Sequence, residues 1–152
     1  MRGTMMLLAC SVIAAGTAAG QERKITRADL PAAVERAVAA QSQGATIRGF
    51  SQEKEKGQTL YEVEMTVGGH GKDVTIDTSG TVVEIEEQVE LSALPAPVRT
   101  ALLARAGAGK ITTVESLTKR GTLVAYEAHV VTNGKRSEIQ VGPDGKPLAE
   151  EQ

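Results

Sequence analysis

Few side chains in this 152-residue chain could do chemistry: two histidines, His70 and His129, one cysteine, Cys10, and a set of carboxylates spaced two apart. His70 sits in Gly68-Gly69-His70-Gly71, a hairpin composition. His129 alternates with Ala128 and Val130 and so falls on the polar side of a strand, beside Glu127 and Val131. The two occupy unrelated places in the sequence pattern, so a metal shared between them is not expected, and both read as ordinary solvated histidines. No Gly-x-Ser-x-Gly elbow or Gly-x-x-x-x-Gly-Lys-Ser/Thr phosphate loop occurs. Gly107-Ala108-Gly109-Lys110 follows a helical pattern where a phosphate loop would precede one, and reads as a helix terminator. Asp77 and Asp144 suit tight turns; either could hold calcium weakly, but the oxygen spacing of an EF-hand is absent. No catalytic residue, metal ligand or cofactor is therefore assigned.

The carboxylates are more suggestive. Glu62 and Glu64 alternate with Tyr61, Val63 and Met65, while Asp73, Thr75 and Asp77 alternate with Val74 and Ile76. A strand with one dry and one wet face gives this period of two. If Glu84 and Glu86 follow suit, then Glu62, Glu64, Asp73, Thr75, Glu84 and Glu86 emerge together and form the candidate partner-binding surface, to which a basic peptide or protein would be steered. The later part of the chain offers a sparser set: Glu127, His129, Val131, Glu138 and Gln140. The plainer reading of both is a solvated outer face.

The elements that would carry these residues occur twice. Leu30-Pro31, Val34 and Val38 precede Ile47, Phe50, Tyr61 and Gly80; Leu94-Pro95, Val98 and Leu102 precede Ile111, Val114, Tyr126 and Gly145. The offset is 64 residues as far as Val114 and 65 from Tyr126 onward, one extra residue in a turn. In the first copy Thr26 or Asp29 caps a helix that accepts Pro31 in its first turn, with Leu30, Val34, Ala37, Val38 and Gln41 along one stripe. In the second, Ser92 is the cap and Leu94, Val98, Ala101 and Leu102 form the stripe. Strands follow at Ala45–Glu55, around Tyr61–Val67, around Val74–Ile76 and at Thr81–Glu87. In the second copy the turns fall at Arg120-Gly121, Asn133-Gly134 and Pro143-Asp144-Gly145, with Pro147 limiting a short final strand. The expected fold class is thus α+β: two tandem repeats, each one helix packed on a short antiparallel meander sheet, occupying 21–88 and 89–152, the pattern leaving open whether the two sheets are continuous.

The composition, 41% hydrophobic and 24% charged, is that of a folded domain, and the net charge of −2 leaves no basic field for nucleic acid. Residues 1–20 read as a signal peptide: Arg2, an apolar run from Met5 to Ala15, then Ala18-Ala19-Gly20. Cleavage would leave no membrane span and would place the protein in the periplasm or outside the cell. Leu7-Leu8-Ala9-Cys10 partly matches a lipobox, but the bulky Leu8 and the short apolar stretch before it disfavour lipidation.

Asp29-Leu30-Pro31-Ala32-Ala33-Val34, Gly44-Ala45-Thr46-Ile47, Tyr61-Glu62-Val63-Glu64 and Asp77-Thr78-Ser79-Gly80-Thr81-Val82 together resemble a PepSY-like module, echoed in the second copy. In architecture the tandem copies are similar to the β-lactamase inhibitory protein. The resemblance implies an exported, non-catalytic protein that binds a protein or peptide in the cell envelope, some relatives restraining peptidases. The alternative is a periplasmic small-ligand or cation (calcium) binding module; an enzyme ranks last. Aromatic anchors for a tight interface are scarce, since Trp is absent and Phe50, Tyr61 and Tyr126 are assigned to the core.

Overall fold

Alternating residues and turn dipeptides write most of the strands seen in the computed structural model, which describes residues 22–150 and 152. The expected signal segment, 1–20, and Cys10 lie outside the described residues. The strands are β1 (Arg23–Ile25), β2 (Thr46–Glu55), β3 (Gln58–Val67), β4 (His70–Asp77), β5 (Val82–Gln88), β6 (Lys110–Lys119), β7 (Thr122–Thr132) and β8 (Lys135–Val141). Two helices interrupt them, α1 (Ala32–Gln41) between β1 and β2 and α2 (Ala96–Ala106) between β5 and β6. Lys56, Arg120 and Asn133 adopt positive φ, each followed by a glycine that does the same, the geometry that two-residue hairpins need.

The expected pair of helix-on-meander repeats is not what forms. Among the described residues all eight strands make one antiparallel sheet in the order β1 to β8, and the structure is mostly β with two helices. The join is the pairing of β5 with β6, from Glu84 opposite Lys119 to Gln88 opposite Glu115. Its physical reason is the edge: two separate meanders would each leave a row of backbone donors and acceptors unpaired, and merging them removes two edges at once. The boundary expected at 88/89 therefore falls at the end of a strand inside a continuous sheet.

Both helices lie on the same face. Val34 and Val38 of α1 are buried with Tyr61, Val63, Met65, Val74 and Ile76. Val98 and Leu102 of α2 are buried with Leu94, Val114, Ala128 and Val141. Each such aliphatic side chain contributes on the order of 1.5–3 kcal/mol when removed from water. Tyr61 is buried, its hydroxyl accepting a hydrogen bond from Gln52 Nε2 at 3.1 Å, while Tyr126 packs partly buried against the second cluster. The helices meet the sheet through two glycines. At Gly80 (φ +88°) a Cβ would lie 2.6 Å from the Ala33 carbonyl oxygen, and at Gly145 (φ +81°) 2.6 Å from that of Pro97. Only glycine permits both the backbone angle and the close approach.

Three local expectations are corrected. Pro31 and Pro95 are themselves the N-caps, each preceded by a 3-10 turn, Arg27–Asp29 and Leu91–Ala93. The Thr26–Asp29 pair closes the first of these turns, Asp29 Oδ2 accepting from the Thr26 amide at 2.8 Å and its hydroxyl at 2.7 Å. The polar lead-in includes a strand, β1, paired with β2 at Gln52, Ser51 and Phe50. No strand follows β8 among the described residues; the chain turns instead, with the Gly142 amide bonded to the Lys146 carbonyl at 2.8 Å.

Candidate functional site

Strand alternation sends the carboxylates to the face opposite α1 and α2. The six residues singled out from sequence form a grid across β3, β4 and β5: Glu62 opposite Thr75 and Thr75 opposite Glu84, then Glu64 opposite Asp73 and Asp73 opposite Glu86. Both rows run on into β6, the first to Lys119 and the second to Leu117, which in turn faces Ala125 of β7. Leu117 and Ala125 are buried although they belong to neither helix-side cluster. The face thus has an apolar floor beside the acids, a feature the wet-face reading did not anticipate.

Among the described residues, cations reach only part of the grid. Arg48 Nη2 lies 3.1 Å from Asp73 Oδ1 and Lys119 Nζ 3.3 Å from Glu84 Oε2. Among the described residues Glu62, Glu64 and Glu86 form no ion pair. Burial, with Asp73 and Glu64 adding repulsion, pushes the Glu62 carboxyl up to about 7. Burial raises Asp73 to about 6 against the opposing pull of Arg48. Glu86, in the middle, is raised furthest, by burial and then by Glu84, Glu115, Glu127 and Asp73 around it. Like charges at cross-strand distance disfavour joint ionisation, so this surface retains protons that ordinary carboxylates would shed.

The other end of the same face is built differently. Glu115 stands opposite Glu127, Glu127 opposite Gln140, and His129 opposite Glu138. The His129 ring is largely covered, 23% exposed, rather than solvated. Its Nε2 lies 3.1 Å from Glu115 Oε2 and 3.6 Å from Glu127 Oε1, and its Nδ1 3.5 Å from Glu138 Oε1. The hydrogen bond to Glu115 first, with the surrounding carboxylates, holds the imidazole above its usual value despite burial. Gln140 Nε2 donates to Glu127 Oε2 at 2.6 Å. Sequence reasoning placed Glu127, His129, Glu138 and Gln140 on this face but missed Glu115, whose signal was its position directly after the buried Val114.

His70 ends up elsewhere, at the start of β4, with Nδ1 4.0 Å from Glu90, and shares no partner with His129. Asp77 Oδ1 accepts from the Ser79 and Thr81 amides, and Asp144 Oδ1 from the Lys146 amide at 3.0 Å. Both aspartates are engaged in closing turns.

No family model matches the chain, and no curated protein matches it. Solved structures do. A protein from Bacteroides eggerthii, inferred to be periplasmic, superposes with a TM-score of 0.65 at 18% identity over 80% of this chain and 88% of its own. A BLIP-like protein from Bacteroides fragilis gives 0.59 at 21% over 80% and 85%. A DUF2874 family protein from Bacteroides ovatus gives 0.61 at 16% over 78% and 84%. At these identities the likeness is one of fold: the chain has the BLIP-like architecture of a helix-backed antiparallel sheet with one face left open.

Proposed function

We propose that this is an exported, non-catalytic PepSY-like protein of the periplasm or cell exterior, whose helix-free sheet face takes a cationic segment of a protein or peptide in the cell envelope. The observation that carries this reading is the acidic grid, where Glu62, Glu64 and Glu86 form no ion pair among the described residues and Glu86 stands opposite a buried Leu117. Lysine or arginine side chains laid across the grid would replace the retained protons and neutralise the crowding, while the apolar floor receives their methylene stems. The BLIP-like neighbour supports a binding role, and the neighbour inferred to be periplasmic supports export. Modulation of a peptidase is the most concrete form of the proposal.

Glu62→Lys/Glu64→Lys is the discriminating variant. Immobilised wild-type protein is expected to retain a specific protein from an envelope or secreted fraction and to bind a deca-lysine peptide with an affinity that falls as salt rises. The double variant should lose both. Equal retention by the variant would remove the acidic face from the account. A captured peptidase would then be assayed for a change in kcat/KM with and without the bound protein.

A further inference from the structure

The geometry points to a zinc-type divalent metal site on the open face, formed by His129 Nε2, Glu115 Oε2 and Glu127 Oε1, with Glu138 and Gln140 orienting the ligands. The three residues offer donor atoms that all lie within 4.8 Å of one another. His129 Nε2 is 3.1 Å from the Glu115 oxygen and 3.6 Å from the Glu127 oxygen. A tetrahedral zinc ion with bonds of about 2.0–2.1 Å separates neighbouring donors by about 3.3 Å, so the ligand spacing is already close to what the ion requires.

A second observation, separate from that spacing, concerns what lies behind the ligands. Metal-bound histidine characteristically donates its other ring N–H to a carboxylate, and ligating carboxylates are themselves held by a hydrogen bond. Here Nδ1 faces Glu138 Oε1 at 3.5 Å, which leaves Nε2 to the metal. Gln140 Nε2 grips Glu127 Oε2 at 2.6 Å, which leaves Oε1 directed at the histidine. The ligands come from β6 and β7 and both of their supports from β8, so the site rests on three paired strands rather than on loops.

One imidazole and two carboxylates suit zinc and its neighbours in the first transition row; calcium and magnesium prefer six or more oxygen donors. The carboxylates around His129 favour its protonated form, so a divalent ion would compete with a proton for Nε2. Three protein ligands leave the fourth tetrahedral position to water. The site shares no residue with the grid, so it can be tested apart from the docking reading, although Glu115 and Glu127 also raise Glu86.

Calorimetric titration of tag-free protein with zinc chloride is expected to show one ion per chain. His129→Gln and Glu115→Gln should each weaken binding by 100-fold or more. Glu138→Gln, acting through Nδ1, should weaken it about 10-fold, and His70→Gln should leave it unchanged. Ring nitrogen resonances in the unmodified protein provide a readout that does not depend on a variant folding: zinc should shift His129 Nε2 and leave Nδ1 protonated. The inference is overturned by lack of stoichiometric zinc binding in the wild type, by unperturbed His129 resonances, by loss of binding in His70→Gln, or by calcium chloride competing equally with zinc.

Discussion

The two ends of the open sheet face solve the same electrostatic problem in different ways. On β6 to β8 the carboxylates of Glu115, Glu127 and Glu138 surround an imidazole whose protonated form they favour. On β3 to β5, Arg48 and Lys119 each meet one carboxylate while Glu62, Glu64 and Glu86 have no such partner among the described residues. Yet the helix-covered side is alike at both ends, down to Gly80 under Ala33 and Gly145 under Pro97. Equal cores under unequal faces indicate that packing sets the shared framework and that the distinct chemistry lies on the face the helices leave bare.

The shared framework can be broken first. Gly80→Ala and Gly145→Ala each force a Cβ against a carbonyl oxygen at positive φ, with an expected loss of about 2–4 kcal/mol apiece. Denaturant unfolding checks this, and the likeness of the two sites predicts losses of similar size. A loss at one site alone would show that the helices are not held equivalently.

The unequal faces should separate next. Glu62 has a folded-state value raised from 4.5 to about 7, so folding favours its neutral form. The stability associated with that raised value is complete below pH 4.5 and is lost as pH climbs through 7. Glu62→Gln, neutral at every pH, should therefore stabilise the protein by about 1–3 kcal/mol at pH 8 and change little at pH 4. Thermal melts at the two pH values test it; a destabilised variant at pH 8 would mean that Glu62 has a cationic partner after all.

At the other end the sign of the mutational effect reverses. His129 is raised from 6.5 by its carboxylates, so its contribution is present below pH 6.5 and is lost as pH rises through the folded-state value. His129→Gln should destabilise by about 1–2 kcal/mol at pH 6 and by less at pH 9. An effect independent of pH would reduce His129 to a packing residue.

How much of this was legible depends on the range of the signal. Period-two alternation in β3 and β4 placed Glu62, Glu64, Asp73 and Thr75 on one face, and the helical stripe found Val34, Val38, Val98 and Leu102, all buried. Hairpin dipeptides located the turns at Lys56, Arg120 and Asn133. The single sheet was not legible, because β5–β6 pairing joins segments separated by α2 and leaves no local mark. Strand β1 is only three residues long and two of them are charged, so it has no periodicity to read. Glu115 escaped notice because bulges at Ile111/Thr113 and Leu117/Thr118 interrupt the alternation of β6 on both sides. The enclosure of His129 depends on register across three strands, which sequence spacing within β7 does not encode.

Side-chain carboxyl carbon shifts, followed by NMR across a pH titration, test the account's central claim most directly: that the β3 to β5 grid holds acids short of cations. Glu62 should titrate near 7, Asp73 near 6 and Glu86 above both. Titration of all three near 4, as in solvent-exposed peptides, would show a grid neither crowded nor buried and would contradict the account.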